Sequence, residues 1–305
     1  MHKKQFSQAF GFYIIYPLLW SISWLPLWAL YRISDFLFLL IAAFGYRRSV
    51  ITSNLKRAYP GQDRRFIRNI RIRFYRHFCD MIVETIALMH ISQKKIQRRV
   101  EFVNLDLIQK SIDNEHDAVA VIGHYGNWEW VPTINMALPS NIIACSVYRP
   151  LKNNYFDRLM IRLRSPFNTI NFPLKNTVKE IIKMKQTDQR FIIGLIADQS
   201  PSKFELQFWT SFLTQKTPII LGPEKLCKLA NADLFFWQME KIKRGRYRIT
   251  VLPYPGDVKT DPEFSATKWH VKQLETQIYR QPEIWLWSHK RWKYQHLYDS
   301  QTYEI

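Results

Sequence analysis

The sequence predicts an α/β domain on a mainly parallel central sheet flanked by helices, carried by an N-terminal membrane anchor. Three observations lead there. Beyond residue 100, short apolar runs rich in β-formers alternate with amphipathic stretches, the pattern of a parallel sheet covered on both faces. Residues 5–31 contain no Asp, Glu, Lys or Arg. Between these regions lies a dense arginine run. At 305 residues the chain can bury one large core.

The anchor comes first. QFSQAFGFYIIYPLLWSISWLPLWALY (5–31) exceeds the ~20 residues needed to cross a hydrocarbon core. Pro17 and Pro26 keep a kinked or interfacial segment open. After Arg32 and Asp35 a second apolar run, FLFLLIAAFGY (36–46), precedes Arg47 and Arg48. AFG (43–45) would suit a signal-peptide cleavage site, but the apolar region is far longer than the usual 7–15 residues. Residues 1–46 are therefore assigned as membrane anchor and 47–305 as catalytic domain.

From Arg47 to Arg76 there are ten basic residues against a single acid, Asp63. The positive-inside bias puts this flank on the cytoplasmic side. Residues 64–89 predict a long helix whose first half mixes Arg with Phe, Ile and Tyr. Beside an anchor, such a helix suits anionic lipid at ~1 kcal/mol per basic residue; an ordinary solvated face is the alternative. The whole chain carries 44 basic and 25 acidic residues, net +19, which points to an anionic partner. Its 11 Trp, 15 Tyr and 20 Phe suit a protein that meets lipid headgroups. Cys79, Cys145 and Cys227 are scattered and odd in number. They give no disulfide framework, no CxxC metal pattern and no nucleophile motif, consistent with reducing cytoplasm.

The predicted strands are 118–123, 142–148, 170–174, 191–197, 233–239 and 247–254. Helices are expected in EWVPTINMAL, YFDRLMIRLR, TVKEIIKMKQ and PIILGPEKLCKLA. Sites in such sheets lie at the carboxyl ends of strands. His124, Arg149 and Asp198 each follow a predicted strand: a base, a cation and a carboxylate.

In GHYGNWEW (123–130), Glu129 stands five residues after His124. On an ideal helix this pair would lie ~140° apart. A turn at Tyr125-Gly126-Asn127 would let Glu129 fold back onto the imidazole and fix its tautomer, leaving the other nitrogen as a general base. Such a base can take the proton from a hydroxyl as it attacks an acyl carbonyl, with no serine or cysteine nucleophile. Spacing alone is weak, because eight His and 25 acids give about 0.7 chance matches to H-x4-[DE]. A second match, His270 and Glu275, lies in SATKWHVKQLETQIYRQ with no preceding strand, and is expected on a solvated helix face. From the residues alone, a catalytic base and a satisfied structural histidine both remain open for His124.

With these motifs in view, the chain resembles the bacterial lipid A biosynthesis acyltransferases, within the lysophospholipid acyltransferase superfamily. The resemblance rests on YRRSVITSNLKRAYP (46–60), GHYGNWEW, VYRP (147–150), RLRS (162–165), IADQS (196–200) and PEIWLWSHKRWK (282–293), in the family's order. It implies a glycerol-phosphate-acyltransferase-like fold and an inner-membrane enzyme facing the cytoplasm. The implied reaction moves a fatty acyl group from acyl carrier protein to a hydroxyl of an anionic glycolipid, a lipid A precursor. No cofactor beyond the carrier's phosphopantetheine and no metal are implied. His124 would be the base and Glu129 its partner. Arg162, matching the family's RxR, and Asp198 would belong to the site, while Arg149 and Arg164 would meet phosphate or the carrier's phosphopantetheine arm. Arg162 and Arg164 are two apart on a predicted helix, so at most one should enter the site. Ser200, where many relatives have an acid, and Thr214, where glycine is common, depart from the pattern on the donor-side loop.

Three alternatives compete with this reading. The same chemistry on another glycolipid or a phospholipid keeps every motif. Nucleic-acid binding through the arginine run lacks any recognised fingerprint. A metallohydrolase lacks a spaced third ligand near His124 and Glu129.

Overall fold

The computed structural model describes residues 2–187 and 189–298. α1 (His2–Ser23) runs through Pro17, and α2 (Leu27–Phe44) starts after the extended Pro26 and stops at Gly45, whose φ of 65° is the left-handed conformation of a helix C-cap. α3 (Arg48–Ala58) follows, then α4 (Arg64–Ala87), opened by Asp63 accepting from the Phe66 N–H at 2.7 Å. α2 lies along α4. Tyr31 donates to Glu84, Ser34 donates to Asp80, and Arg244 joins Asp35 and Asp80. The opposite side of α2 is open and apolar, with Trp28 71% and Phe44 86% exposed, and Phe10, Tyr13, Leu18 and Trp24 extend that surface onto α1 and the turn after it. α2 is long and apolar enough to cross a membrane by length and composition.

α4 divides as its sequence does. Arg64, Arg65, Arg68, Arg73 and Arg76 are exposed, while Ile67, Ile70, Phe74 and Tyr75 enter the core. Its second half buries His77, Asp80 and Glu84.

After α5 (Gln93–Gln97) come β1 (Val100–Val103), α6 (Asp106–Asp113) and β2 (Asp117–Ile122). A 3-10 helix, Trp128–Met136, leads to β3 (Ile142–Tyr148), α7 (Asn154–Arg164) and β4 (Ile170–Pro173). α8 (Thr177–Met184) and β5 (Arg190–Ile196) follow, then a hairpin of β6 (Trp209–Phe212) and β7 (Gln215–Pro218). The chain continues through α9 (Gly222–Ala230), β8 (Ala232–Lys243), β9 (Arg246–Pro253) and α10 (Ser265–Arg280).

The main sheet has seven strands in the order β1-β9-β8-β2-β5-β3-β4, parallel at every pairing except β8–β9. β2 sits in the middle and all six of its residues are buried, as a two-sided parallel strand requires. The expected α/β class and its six strands are present. β1 and the β6–β7 hairpin were not predicted, being short and interrupted by polar residues.

Two local expectations need correction. EWVPTINMAL forms a 3-10 helix rather than an α-helix: Pro132 has no N–H to offer. α10 is not a solvated face. Ala266, His270, Val271, Leu274 and Ile278 form its buried stripe, and Glu275 accepts from the Leu213 N–H at 2.7 Å. Leu213 and Thr214 both adopt positive φ in the β6–β7 turn, so the departure from glycine at Thr214 falls on left-handed backbone.

Candidate active site

β2 and β5 are hydrogen-bonded neighbours, so their carboxyl ends deliver His124 and Asp198 to the same sheet edge. His124 Nδ1 lies 2.7 Å from Asp198 Oδ1, and the His124 backbone N–H donates to Oδ2 at 2.9 Å. Trp285 Nε1 donates to the same Oδ2 at 2.7 Å. Burial alone would raise the Asp198 carboxyl; the His124 ring and the hydrogen bonds from His124 and Trp285 outweigh it and hold the group below the ordinary range. An ionised Asp198 therefore fixes the proton on Nδ1 and leaves the Nε2 lone pair facing outward. Gln199 Nε2 approaches that lone pair at 3.3 Å, and Trp128 packs edge-on to the ring at 5.0 Å. The imidazole keeps a window to solvent, its side chain being 19% exposed.

The turn that presents His124 is fastened from several sides. Gly126 has φ 61°, and a Cβ there would run into Met239. Its carbonyl accepts from His77 Nε2 at 3.1 Å. Burial and then the Lys241 ammonium push His77 down to about 3, so it stays neutral and can make this bond. Asn127 donates to Glu84, Tyr125 Oη donates to the Gln277 and Gln281 carbonyls, and Trp130 Nε1 donates to the Glu84 carbonyl. Glu84, raised by burial, also accepts from Tyr247 Oη at 2.8 Å.

A strap over residues 282–291 closes the other side. Leu286 N–H donates to the His124 carbonyl, Gly126 N–H donates to the Ile284 carbonyl, and Tyr125 bridges Trp285. His289 Nε2 accepts from Ser200 N–H at 3.4 Å and is pushed by burial down to about 4. Asn54 of α3 holds the strap by donating to the Trp287 and His289 carbonyls. Arg291 is 1% exposed behind the dyad, and burial lowers its guanidinium to about 10 while the Asp198 charge opposes the shift. It is a buried cation at neutral pH.

Glu129 does not meet His124. The 3-10 helix carries its carboxylate to the end of α7, where Arg164 grips it bidentately at 3.1, 3.0 and 2.8 Å. The expected Glu129–His124 bond is thus replaced by Asp198–His124. The two arginines of RLRS separate as their spacing requires, but Arg164 turns inward to Glu129 and Arg162 is exposed. Arg149, at the end of β3, is exposed on the same sheet edge, about 10 Å from β2 by strand spacing. Trp285, Gln199 and His289 were missed as site residues, although Trp285 and His289 stand in the terminal motif PEIWLWSHKRWK. Among the described residues no group of three or more His, Cys, Asp or Glu could hold a metal ion.

A histidine whose Nε2 lone pair is met only by the Gln199 amide among the described residues, and whose Nδ1 is backed by a buried carboxylate at a sheet edge, can accept a proton from a hydroxyl that displaces that amide. The chain is similar to the lipid A biosynthesis lauroyltransferase of Escherichia coli (strain K12), 22% identical over 281 residues that cover 90% of this chain and 89% of the relative. It is also similar to the palmitoleoyltransferase of the same strain and to a lipid A biosynthesis acyltransferase of Shigella flexneri, each 23% identical over 259 residues, 84% of this chain and 82% of the relative. The family model for bacterial lipid A biosynthesis acyltransferases matches residues 2–294, from the first helix through the strap, and the chain belongs to that family of transferases.

Proposed function

We propose that the chain moves a fatty acyl group from the thioester of acyl carrier protein to a hydroxyl of an anionic lipid A precursor, with His124 as general base. The observation that carries this is the His124–Asp198 pair, which leaves Nε2 as the one ring nitrogen open to an incoming hydroxyl. The acceptor hydroxyl displaces the Gln199 amide from Nε2 and gives up its proton as its oxygen attacks the thioester carbonyl. Asp198 stabilises the imidazolium that forms. Collapse of the tetrahedral intermediate breaks the carbon–sulfur bond, and the Nε2 proton passes to the departing phosphopantetheine thiolate. An ester is made, a thioester is consumed and His124 returns to its starting form. Glu129 serves by fixing Arg164 at the mouth of the site. Arg149 and Arg162, which make no ion pair among the described residues, are two cations available to phosphate on donor or acceptor.

The apolar surface of α1 and α2 supports attachment to the inner membrane with the catalytic domain on the cytoplasmic side. Because Tyr31 and Ser34 bond α2 to α4 and Arg244 bridges Asp35 to Asp80, the open face suits a helix pair resting in the interface while docked on the domain. Full-length His124→Ala should remain folded, with a lowered melting temperature because buried Asp198 loses its ring partner, and should lose transfer from acyl carrier protein by about 10²-fold or more. Wild-type transfer from the folded variant would overturn the mechanism.

A further inference from the structure

Where the apolar face of α2 ends, the surface changes abruptly. Gly45, Arg47, Arg48, Ser49, Thr52, Ser53, Lys56, Arg57 and Arg71 line an open cleft of about 980 Å³ between α3 and α4. It holds five cations and three hydroxyls and has no acid in its lining. None of the five cations is in an ion pair among the described residues. Arg71, half-buried at the floor, donates to Thr52 Oγ1 at 2.7 Å. Burial and then the neighbouring charges of Arg48 and Arg68 weaken the hold of Arg71 on its proton. Gathering like charges without a counter-charge is unfavourable, and an anion in the cleft removes that cost.

We propose that this cleft binds a lipid-borne phosphate, the group through which the acceptor is held while its hydroxyl reaches His124. Three features select this ligand. Guanidinium forks and hydroxyl donors around a concavity match the oxygens of a tetrahedral dianion. The cleft begins beside the exposed Phe44 and Tyr46, at the depth where headgroups sit if α2 rests in a membrane. Its wall is tied to the active site: Arg47 donates to the Ser288 carbonyl, and Asn54, on the buried side of α3, donates to Trp287 and His289 of the strap that also supplies Trp285 to Asp198. The link to acceptor turnover rests on the acyl-transfer reading; the binding itself does not.

The test uses the full chain in detergent with Arg48→Gln and Lys56→Gln combined, because both side chains are exposed and neither holds the strap. Lys175→Gln with Lys179→Gln, exposed just after β4 and on α8 and outside the cleft, removes equal charge as control. Without any acyl donor, wild type and control should bind phosphatidic acid micelles roughly tenfold or more tighter than phosphatidylcholine micelles, and the cleft variant should lose that preference. Competition by inorganic phosphate would show that the phosphate group suffices; resistance to it would show that the lipid must carry the phosphate. In turnover, the cleft variant should raise KM for a phosphorylated glycolipid by a similar factor with kcat nearly unchanged. Equal loss of preference in the control pair would overturn the proposal, as would displacement of acyl carrier protein rather than lipid by the cleft substitutions. If binding behaves as stated and no variant or wild type transfers acyl groups, the cleft stands and the acyl-transfer reading falls.

Discussion

Asp198→Asn is the sharpest probe of the site, because it changes one atom type and leaves the shape. Two donors, the His124 N–H and Trp285 Nε1, converge on Oδ2, and the imidazole Nδ1 faces Oδ1. An asparagine offers one acceptor and one donor group. With its oxygen at the Oδ2 position, both N–H groups stay satisfied, but its NH2 then points at Nδ1. The ring must accept there, so its proton moves to Nε2 and the base is lost. The opposite flip keeps the ring tautomer but sets the NH2 against two N–H donors. Each buried donor left unsatisfied costs about 1–3 kcal/mol, so regaining the active tautomer costs about 2–6 kcal/mol. At ~1.4 kcal/mol per tenfold, kcat should fall between about 30-fold and 10⁴-fold. The assay is acyl transfer from acyl carrier protein to a lipid A precursor by the purified full-length variant, with thermal melting to confirm the fold. A folded Asp198→Asn enzyme within about threefold of wild type would refute the tautomer argument. Its refutation would be complete if Glu129→Gln abolished kcat in the same assay, since Glu129 would then be the carboxylate that orients His124 during turnover.

Glu129→Gln is expected instead to act through Arg164. Breaking a largely buried pair should destabilise by about 2–4 kcal/mol, and the effect should be strongly non-additive with Arg164→Gln; additive losses in urea unfolding would contradict the clamp. Gly126→Ala combines left-handed strain of ~1–2 kcal/mol with a clash against Met239 worth ~1–3 kcal/mol, so melting should drop sharply and transfer with it; a melting temperature within a degree or so would show that the turn yields freely. His270 is 2% exposed and burial lowers it to about 4. Its contribution is neutral above pH ~6.5, and as pH falls from there to about 4 the unfolded chain takes up a proton that the folded chain refuses. Stability should therefore decline on acidification, by on the order of 3 kcal/mol from this group, and His270→Leu should flatten the slope of unfolding free energy between about pH 6.5 and pH 4.5; an unchanged slope would mean that His270 is protonated in the fold.

His124 was legible because a six-residue apolar run ended at it, and apolar runs between turn residues are what a central parallel strand looks like. Its partner was not legible in the same way. Asp198 lies 74 residues away, and pairing the two requires knowing that β5 inserts between β2 and β3, which is a property of the sheet order. The nearby Glu129 satisfied the spacing and competed for the role. What separates it from the ring is local: Gly126 turns the chain at positive φ and a 3-10 helix follows, directing the carboxylate to α7. The arginines divide along the same line. Their two-residue spacing dictated that only one could turn inward, while which one depended on where Glu129 went. His270 failed for a different reason, since its helix carries enough Lys, Gln and Glu to look solvated although every third or fourth residue is buried. The apolar N-terminal helices and the rest of the chain are continuous at the level of contacts. Tyr31 and Ser34 interrupt the apolar run where α4 offers Glu84 and Asp80, and Asp35 does so where Arg244 bridges it to Asp80. Removing residues 1–46 would therefore strip partners from two buried carboxylates as well as take away the exposed apolar surface. Membrane attachment is better tested by polar substitution of exposed residues such as Trp28 and Phe44, which touch neither Glu84 nor Asp80. Such variants should shift the full-length chain toward the soluble fraction while leaving its melting temperature in place; unchanged partitioning would locate the attachment elsewhere, on the arginine-rich face of α4.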